Sequence, residues 1–386
     1  MSVSARDRNL SLLAILSSCT AFAVGIGLTL PLLSLILERQ GYPGSVNGLN
    51  LATAGLAAIL ITPNVPRLIR RFGTASFLVG SLALSAAALL ALYAAPSLWM
   101  WFPARFVLSL GLNGLFVASE FWINQLADES NRGRYVALYG IAISGGFALG
   151  PAILYFAGTR GIAPFALGSA MLLLAILPVL LARKAAPRLE EEHGAGVLGA
   201  LRAAPAILAA ALVFGVLDSG LFGLFPVYAV RSGFSEAQAA LAIATTSLGS
   251  MVFQYPLGML ADRFDRRMLL IVCALAGMAG AALTPFAIHA PPLMYALLFF
   301  WGGIIMGIYT IGLTLVGERF KGAELASANA AYVMLYAGGL FAGPMAGGFA
   351  LDAWNPHGLM AELCLVAALY VAFLALRRRE PGGVTR

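Results

Sequence analysis

The chain has 386 residues, 60% of them hydrophobic and only 11% charged, where soluble domains average about 25% charged. Its mean hydropathy of +0.88 excludes an ordinary water-soluble globule, a disordered chain and a coiled coil. The formal charge of +7 comes from lysines and arginines scattered between apolar runs, which orients a membrane protein and does not build a nucleic-acid face.

Read from the start, the short charged leader MSVSARDRN precedes an apolar run too long for a signal peptide, so a retained first span is expected. A span needs about 20 mostly apolar residues. Twelve runs qualify: 10–37, 46–66, 74–95, 98–126, 134–157, 162–182, 204–230, 237–261, 268–289, 293–316, 325–350 and 358–376. They are continuously apolar and too long for barrel strands, which predicts helices. With the N-terminus inside, 20 of the 24 Lys and Arg fall on the cytoplasmic side, against Arg39, Arg160 and Arg231 outside and Arg105 within a span. Both termini are then cytoplasmic. The charged segment 183–203 divides the spans six and six. The expected organisation is an N-terminal six-helix bundle (1–182), a cytoplasmic linker (183–203) and a C-terminal six-helix bundle (204–386).

The halves echo each other. Arg39-Gln40-Gly41-Tyr42 before span 2 matches Arg231-Ser232-Gly233-Phe234 before span 8, 192 residues later. Arg71-Phe72 matches Arg263-Phe264 at the same offset, and Gly146 to Pro151 in span 5 matches Gly339 to Pro344 in span 11, 193 later. Three matches at nearly one spacing point to a duplicated six-helix unit, of the kind that packs around a central cavity and rocks.

Gly258-Met-Leu-Ala-Asp262-Arg263-Phe-Asp265-Arg266-Arg267 after span 8 resembles the G-x-L-a-D-R-x-G-R-R loop of the major facilitator superfamily, with Asp265 in place of the second glycine. The first-half loop carries Arg70 where the family usually has Asp. Arg105 and Gly111 open span 4 as in that family, and GLFAGPMAGG (339–348) resembles its antiporter span-5 pattern, here in span 11. A narrower resemblance is to the YcaD-like branch, through 105–134 and QYPLGMLADRF (254–264). The family implies an all-α membrane fold of 12 transmembrane helices in two pseudo-symmetric six-helix bundles. It implies a transporter, usually monomeric, in a bacterial-type inner membrane. It also implies that Asp262, Arg263 and Arg266 bond across cytoplasmic helix ends and gate the conformational change. Relatives in or near the branch are linked to copper or riboflavin uptake. Span 7 has no Met or His, and span 8 has only Met251 and Met259, which weakens copper, a soft metal needing thioether or imidazole ligands.

Charge within a membrane costs roughly 2.5–3.5 kcal/mol per residue and marks function. Asp218 lies mid-span 7, and Glu120 lies on a polar stripe of span 4 with Arg105, Ser109, Asn113 and Asn124. A carboxyl group inside a bilayer is suited to taking up and releasing a proton, so Asp218 and Glu120 are the candidate proton-coupling residues. The bland readings are a structural hydrogen bond and a salt bridge to a cytoplasmic-side arginine. Glu362, near the outer end of span 12, is expected to reach the interface. Rings stack on flat solutes and amides read their edges. The candidate substrate-binding set is therefore Asn113, Arg105, Trp122, Gln254, Tyr309, Asn329, Tyr332, Tyr336 and Phe222, with core packing as the competing reading for each aromatic residue. The Gly150-Pro151 and Gly343-Pro344 pairs are candidate hinges and close-packing points.

The expected function is secondary active transport of a small organic solute by alternating access, with the proton as coupling ion and a flat heterocycle such as riboflavin, taken up, as the best substrate. Efflux of amphipathic drugs by proton antiport is the alternative. A polytopic membrane enzyme is remote, since no nucleophile–base pair is clustered; a passive channel or a sensor is a further class. No cofactor, metal site or nucleic-acid partner is expected. No G-x-x-x-x-G-K-[ST] loop is present, so ATP is not the direct energy source.

Overall fold

A computed structural model describes residues 5–127, 132–187 and 204–376. The first half comprises α1 (Ala5–Arg39), α2 (Gly44–Ile61), α3 (Val65–Phe72), α4 (Thr74–Ala94), α5 (Leu98–Leu126), α6 (Arg132–Ala157), α7 (Ala163–Leu174) and α8 (Ile176–Leu181). The second comprises α9 (Pro205–Ser219), a wide π turn (Gly220–Leu224), α10 (Phe225–Arg231), α11 (Glu236–Arg263), α12 (Arg266–Ala287), α13 (Pro291–Arg319), α14 (Gly322–Ala353) and α15 (Gly358–Leu376). In a bilayer every backbone polar group must be satisfied within the protein, and helices do this segment by segment. That constraint is why the apolar runs and the helices agree closely; α5 matches the expected span at both ends.

Eleven helices among the described residues are long and apolar enough to cross a membrane. The expected eighth span, α11, is long enough at 28 residues but is more polar. Its hydroxyls turn back onto their own helix, with Thr245, Thr246 and Ser247 donating to the carbonyls four residues earlier at 2.8–3.0 Å. These bonds hide the polarity that the composition displays. Three local features were not anticipated. Span 2 continues past Ile61 into α3, and Gly73, at φ 81°, turns the chain into α4. Span 6 breaks at Ala175. Span 7 is interrupted by the π turn. The linker residues 188–203 lie outside the described residues.

Each half packs mainly on itself, α1 against α6 and α5 in the first, α11 against α13 and α9 against α14 in the second. Between the halves, α2 packs on α14 and α6 on α11. Counted as spans, these pairs are 2 with 11 and 5 with 8, and they exchange under the sequence repeat. This is the pseudo-twofold that a duplicated unit requires.

The halves meet at the end opposite the linker, which we call the latch end. Gly44 of α2 lies against Gly348, Gly48 against the Pro344 carbonyl, and Gly55 against Phe341. A Cβ at Gly55 would sit 2.5 Å from the Phe341 nitrogen. Toward the linker end the packing opens. Along α11, Ala239, Ala240, Ala242 and Ile243 are buried, whereas Gln254, Tyr255, Gly258 and Met259 are exposed.

Candidate functional site

The second half gathers Asp218 of α9 with three rings. The Tyr336 hydroxyl donates to Asp218 Oδ2 at 2.9 Å. The Tyr336 ring stacks on Phe214 with centroids 5.7 Å apart, and both meet Tyr309 at 5.4 Å. Helical spacing explains the set: Phe214 and Asp218 are four apart on α9, so they share a face. A hydrogen bond to a charged group contributes about 1.5–3 kcal/mol, which holds the carboxylate in one orientation. Asp218, Tyr309 and Tyr336 are half-buried. Asp218 therefore points inward to a tyrosine of α14, not out to lipid.

In the first half the polar stripe of α5 grades from sealed to open. Arg105 is 2% and Ser109 3% exposed, Asn113 is half-buried, and Glu120 and Asn124 are exposed. The site thus opens toward the linker end, and Glu120 stands at its mouth. Glu120 makes no ion pair among the described residues. Arg105 donates to Asn50 Oδ1 at 3.1 Å, while its Nε and the Asn50 Nδ2 have no hydrogen-bond partner. Its buried guanidinium faces α2 within the first half.

The other expected binding residues divide. Asn329 on α14 and Gln254 on α11 are exposed toward the linker end. Asn113 donates to the Ser109 carbonyl at 2.8 Å and so turns back onto its own helix. Trp122 is 1% exposed within the hydrophobic core. Tyr332 is fully buried and donates to the Tyr309 carbonyl at 2.8 Å, holding α14 to α13 from behind the ring cluster. Phe222 falls in the π turn and packs on the core; it does not join the rings around Asp218. Glu362 does not reach the surface either. Both its oxygens are buried without a hydrogen-bond partner, near Gly347.

The expected gating residues are also placed. Asp262 lies 3.8 Å from Arg266, and Arg266 pairs with Glu318 of α13. Arg267 donates to the Leu374 carbonyl of α15 at 2.6 Å. The loop ties helix ends together within the second half, while Arg263 is exposed. Gly150 lies against Gly27 and Leu28 of α1, and Gly343 against Val216 and Ser219 of α9; both are close-packing points inside a half. Pro344, by contrast, sits on the seam against Gly48.

A reciprocal set of charges at the latch end had no reading in the sequence. Arg231 of the second half pairs with Glu38 of the first at 2.8 Å, and Arg39 of the first with Glu236 of the second at 2.9 Å. Thr159 also donates to Glu236. Asp352 accepts the backbone N–H groups of Gly44 and Ser45 at 2.6 and 2.8 Å, a carboxylate at a helix N-terminus, where the dipole favours it. The two arginines are the repeat-related pair noted in the sequence, which is the only signal that pointed here. Partly exposed pairs contribute about 0.2–1 kcal/mol each, so this closure is firm but reversible.

Known proteins match this arrangement along its whole length. The sequence profile of the Major Facilitator Superfamily matches residues 13–246 and 232–386. The MFS-type transporter YfkF of Bacillus subtilis is 27% identical over 382 residues, covering 96% of this chain and 95% of that protein. The MFS-type transporter YcaD of Salmonella enteritidis is 25% identical over 311 residues, 80% of each chain. Among solved structures, the nucleoside transporter NupG superposes with a TM-score of 0.78 at 14% identity, covering 96% of this chain and all of that one. A bacterial homologue of the lysosomal transporter Spinster, inward-facing and unoccupied, superposes with a TM-score of 0.73 at 15% identity, covering 97% and 96%. Two six-helix bundles, sealed at one end and open at the other around a half-buried acidic site, thus belong to a chain that is a member of the Major Facilitator Superfamily, a membrane transporter and not an enzyme.

Proposed function

We propose that this transporter is a proton-coupled secondary carrier that moves a small, flat organic solute by alternating access, with riboflavin-type uptake as the leading case. The observation that carries the reading is the Asp218–Tyr336 bond beside Phe214 and Tyr309, at the head of an opening whose far end is closed by Glu38, Arg39, Arg231 and Glu236. A carboxylate that is reachable from one side and shielded from the other can exchange a proton with a single compartment at a time. Asp218 is the proposed coupling site, and Glu120 at the mouth the second. Asn329 and Gln254 would meet polar edges of the solute, and Tyr309 and Tyr336 its ring faces. Arg105, Asn113, Trp122, Tyr332 and Phe222 would act by holding this wall in place.

The arginine asymmetry puts the linker end in the cytoplasm of a bacterial inner membrane, so the open side faces inward, and the carrier works as a monomer of two bundles. Efflux of amphipathic drugs is the second reading, favoured by the ring-lined opening on the cytoplasmic side, where an exporter loads.

The test is accumulation in proteoliposomes under an imposed pH gradient, with riboflavin and drug-like solutes offered separately. Gradient-driven accumulation, lost in Asp218→Asn, is expected. Equilibration without accumulation makes the protein a passive pore, and wild-type gradient dependence in Asp218→Asn removes that residue from coupling.

A further inference from the structure

We infer that the solute is an aromatic cation, bound with its ring on Tyr309 and Tyr336 and its positive charge at Asp218, with Glu120 adding negative charge at the mouth. This rests on the transporter reading above and departs from its leading case in one respect, setting a flat cation ahead of neutral riboflavin.

Three observations carry it. First, neither carboxylate has a basic partner among the described residues. No ion pair to Asp218 or Glu120 occurs among the described residues, and the basic side chain deep within a described span, Arg105, is sealed in the first half against Asn50. Second, Asp218 is continuous with a ring cluster: Tyr336 bonds Asp218, and Tyr309 touches Tyr336 with centroids 5.4 Å apart. Third, Tyr336 binds one oxygen of Asp218 and leaves the other without a hydrogen-bond partner among the described residues, while the residue remains half-buried and reachable.

Ring faces carry negative quadrupole potential and attract cations most strongly where water is scarce. A carboxylate beside such faces, with no ion pair among the described residues, repels an anion and offers a neutral ring stacking alone. The arrangement therefore selects by charge among flat molecules of equal size.

Three tricyclic probes separate these cases: proflavine, a cation; riboflavin, neutral; and flavin mononucleotide, an anion. Binding to the full chain in detergent is followed by quenching of probe fluorescence. Proflavine is expected to bind at least about tenfold more tightly than riboflavin, as expected for a desolvated cation–π contact with a carboxylate partner, and flavin mononucleotide more weakly than either. Glu120→Gln, at an exposed position, is expected to reduce the cation preference, and Asp218→Asn to remove it. Asp218→Glu, which keeps the charge, should restore part of it. Riboflavin binding as tightly as proflavine, failure of all three probes to bind, or an unchanged preference in both neutralised variants overturns the inference. Proteoliposome flux separates the two readings. Gradient-driven accumulation of riboflavin but not proflavine sinks the charge assignment and leaves the carrier intact. Tight proflavine binding with passive equilibration does the reverse.

Discussion

The two halves share an architecture and differ in what they supply. The first half presents shape: Gly44, Gly48 and Gly55 bring the α2 backbone onto α14, and its buried arginine is sealed away from the opening. The second presents chemistry, an aspartate fixed by a tyrosine hydroxyl among stacked rings. Glu120 is the exception, an exposed carboxylate of the first half. The two bundles thus share the packing of their spans and differ in their polar groups, which gather around Asp218 in the second.

That contrast can be broken most forcefully at Gly48. Gly48→Leu puts a side chain into the Pro344 carbonyl, so the latch end cannot close, and transport should fall at least about a hundredfold because overpacked seams of this kind cost several kcal/mol. Probe binding should survive. If Gly48→Leu transports normally, the first half is not working through its shape. Tyr336→Phe is the matching change in the second half. It removes the bond to Asp218, worth about 1.5–3 kcal/mol for a charged acceptor, and should weaken solute binding by roughly ten- to a hundredfold while accessibility labelling of the latch end stays as in wild type. Arg231→Ala sharpens the comparison more gently. Loss of the Glu38 pair should shift the population toward the form open at the latch end by no more than about fivefold, given about 0.2–1 kcal/mol per partly exposed pair; increased labelling of a cysteine placed at Ser232 would report it. The smallest effect is expected at Trp122→Phe, a core change of about 1 kcal/mol in thermal stability with probe affinity unaltered. A large affinity loss there would return Trp122 to the solute wall.

Much of the fold was legible because the bilayer leaves few choices. Long apolar runs become helices whatever their detailed order, and the ends of α5 and α15 fall where the hydropathy changes. The breaks at Ala175 and Gly220–Leu224 were not legible, since local backbone geometry there depends on neighbours that composition does not name. At the site, Asp218, Tyr309 and Tyr336 were visible as polar and aromatic residues on helical faces. Tyr332 and Trp122 looked the same by periodicity and proved buried, because periodicity locates a face without saying what covers it. The latch was hidden for a plainer reason. Glu38 and Arg231 are 193 residues apart, Arg39 and Glu236 197, and only the docking of one bundle on the other makes them neighbours.

The wide turn at Gly220–Leu224 has a mechanical consequence. Phe225 reaches back five residues to the Gly220 carbonyl instead of four, so the chain gains one residue and the helix beyond is rotated by about 100° relative to a regular continuation. Phe222 is turned off the face that carries Phe214 and Asp218, and Arg231 is brought round to Glu38. One loosened coil therefore sets the phase between the Asp218 ring cluster and the latch end, so that a twist at either is felt at the other as through a crankshaft.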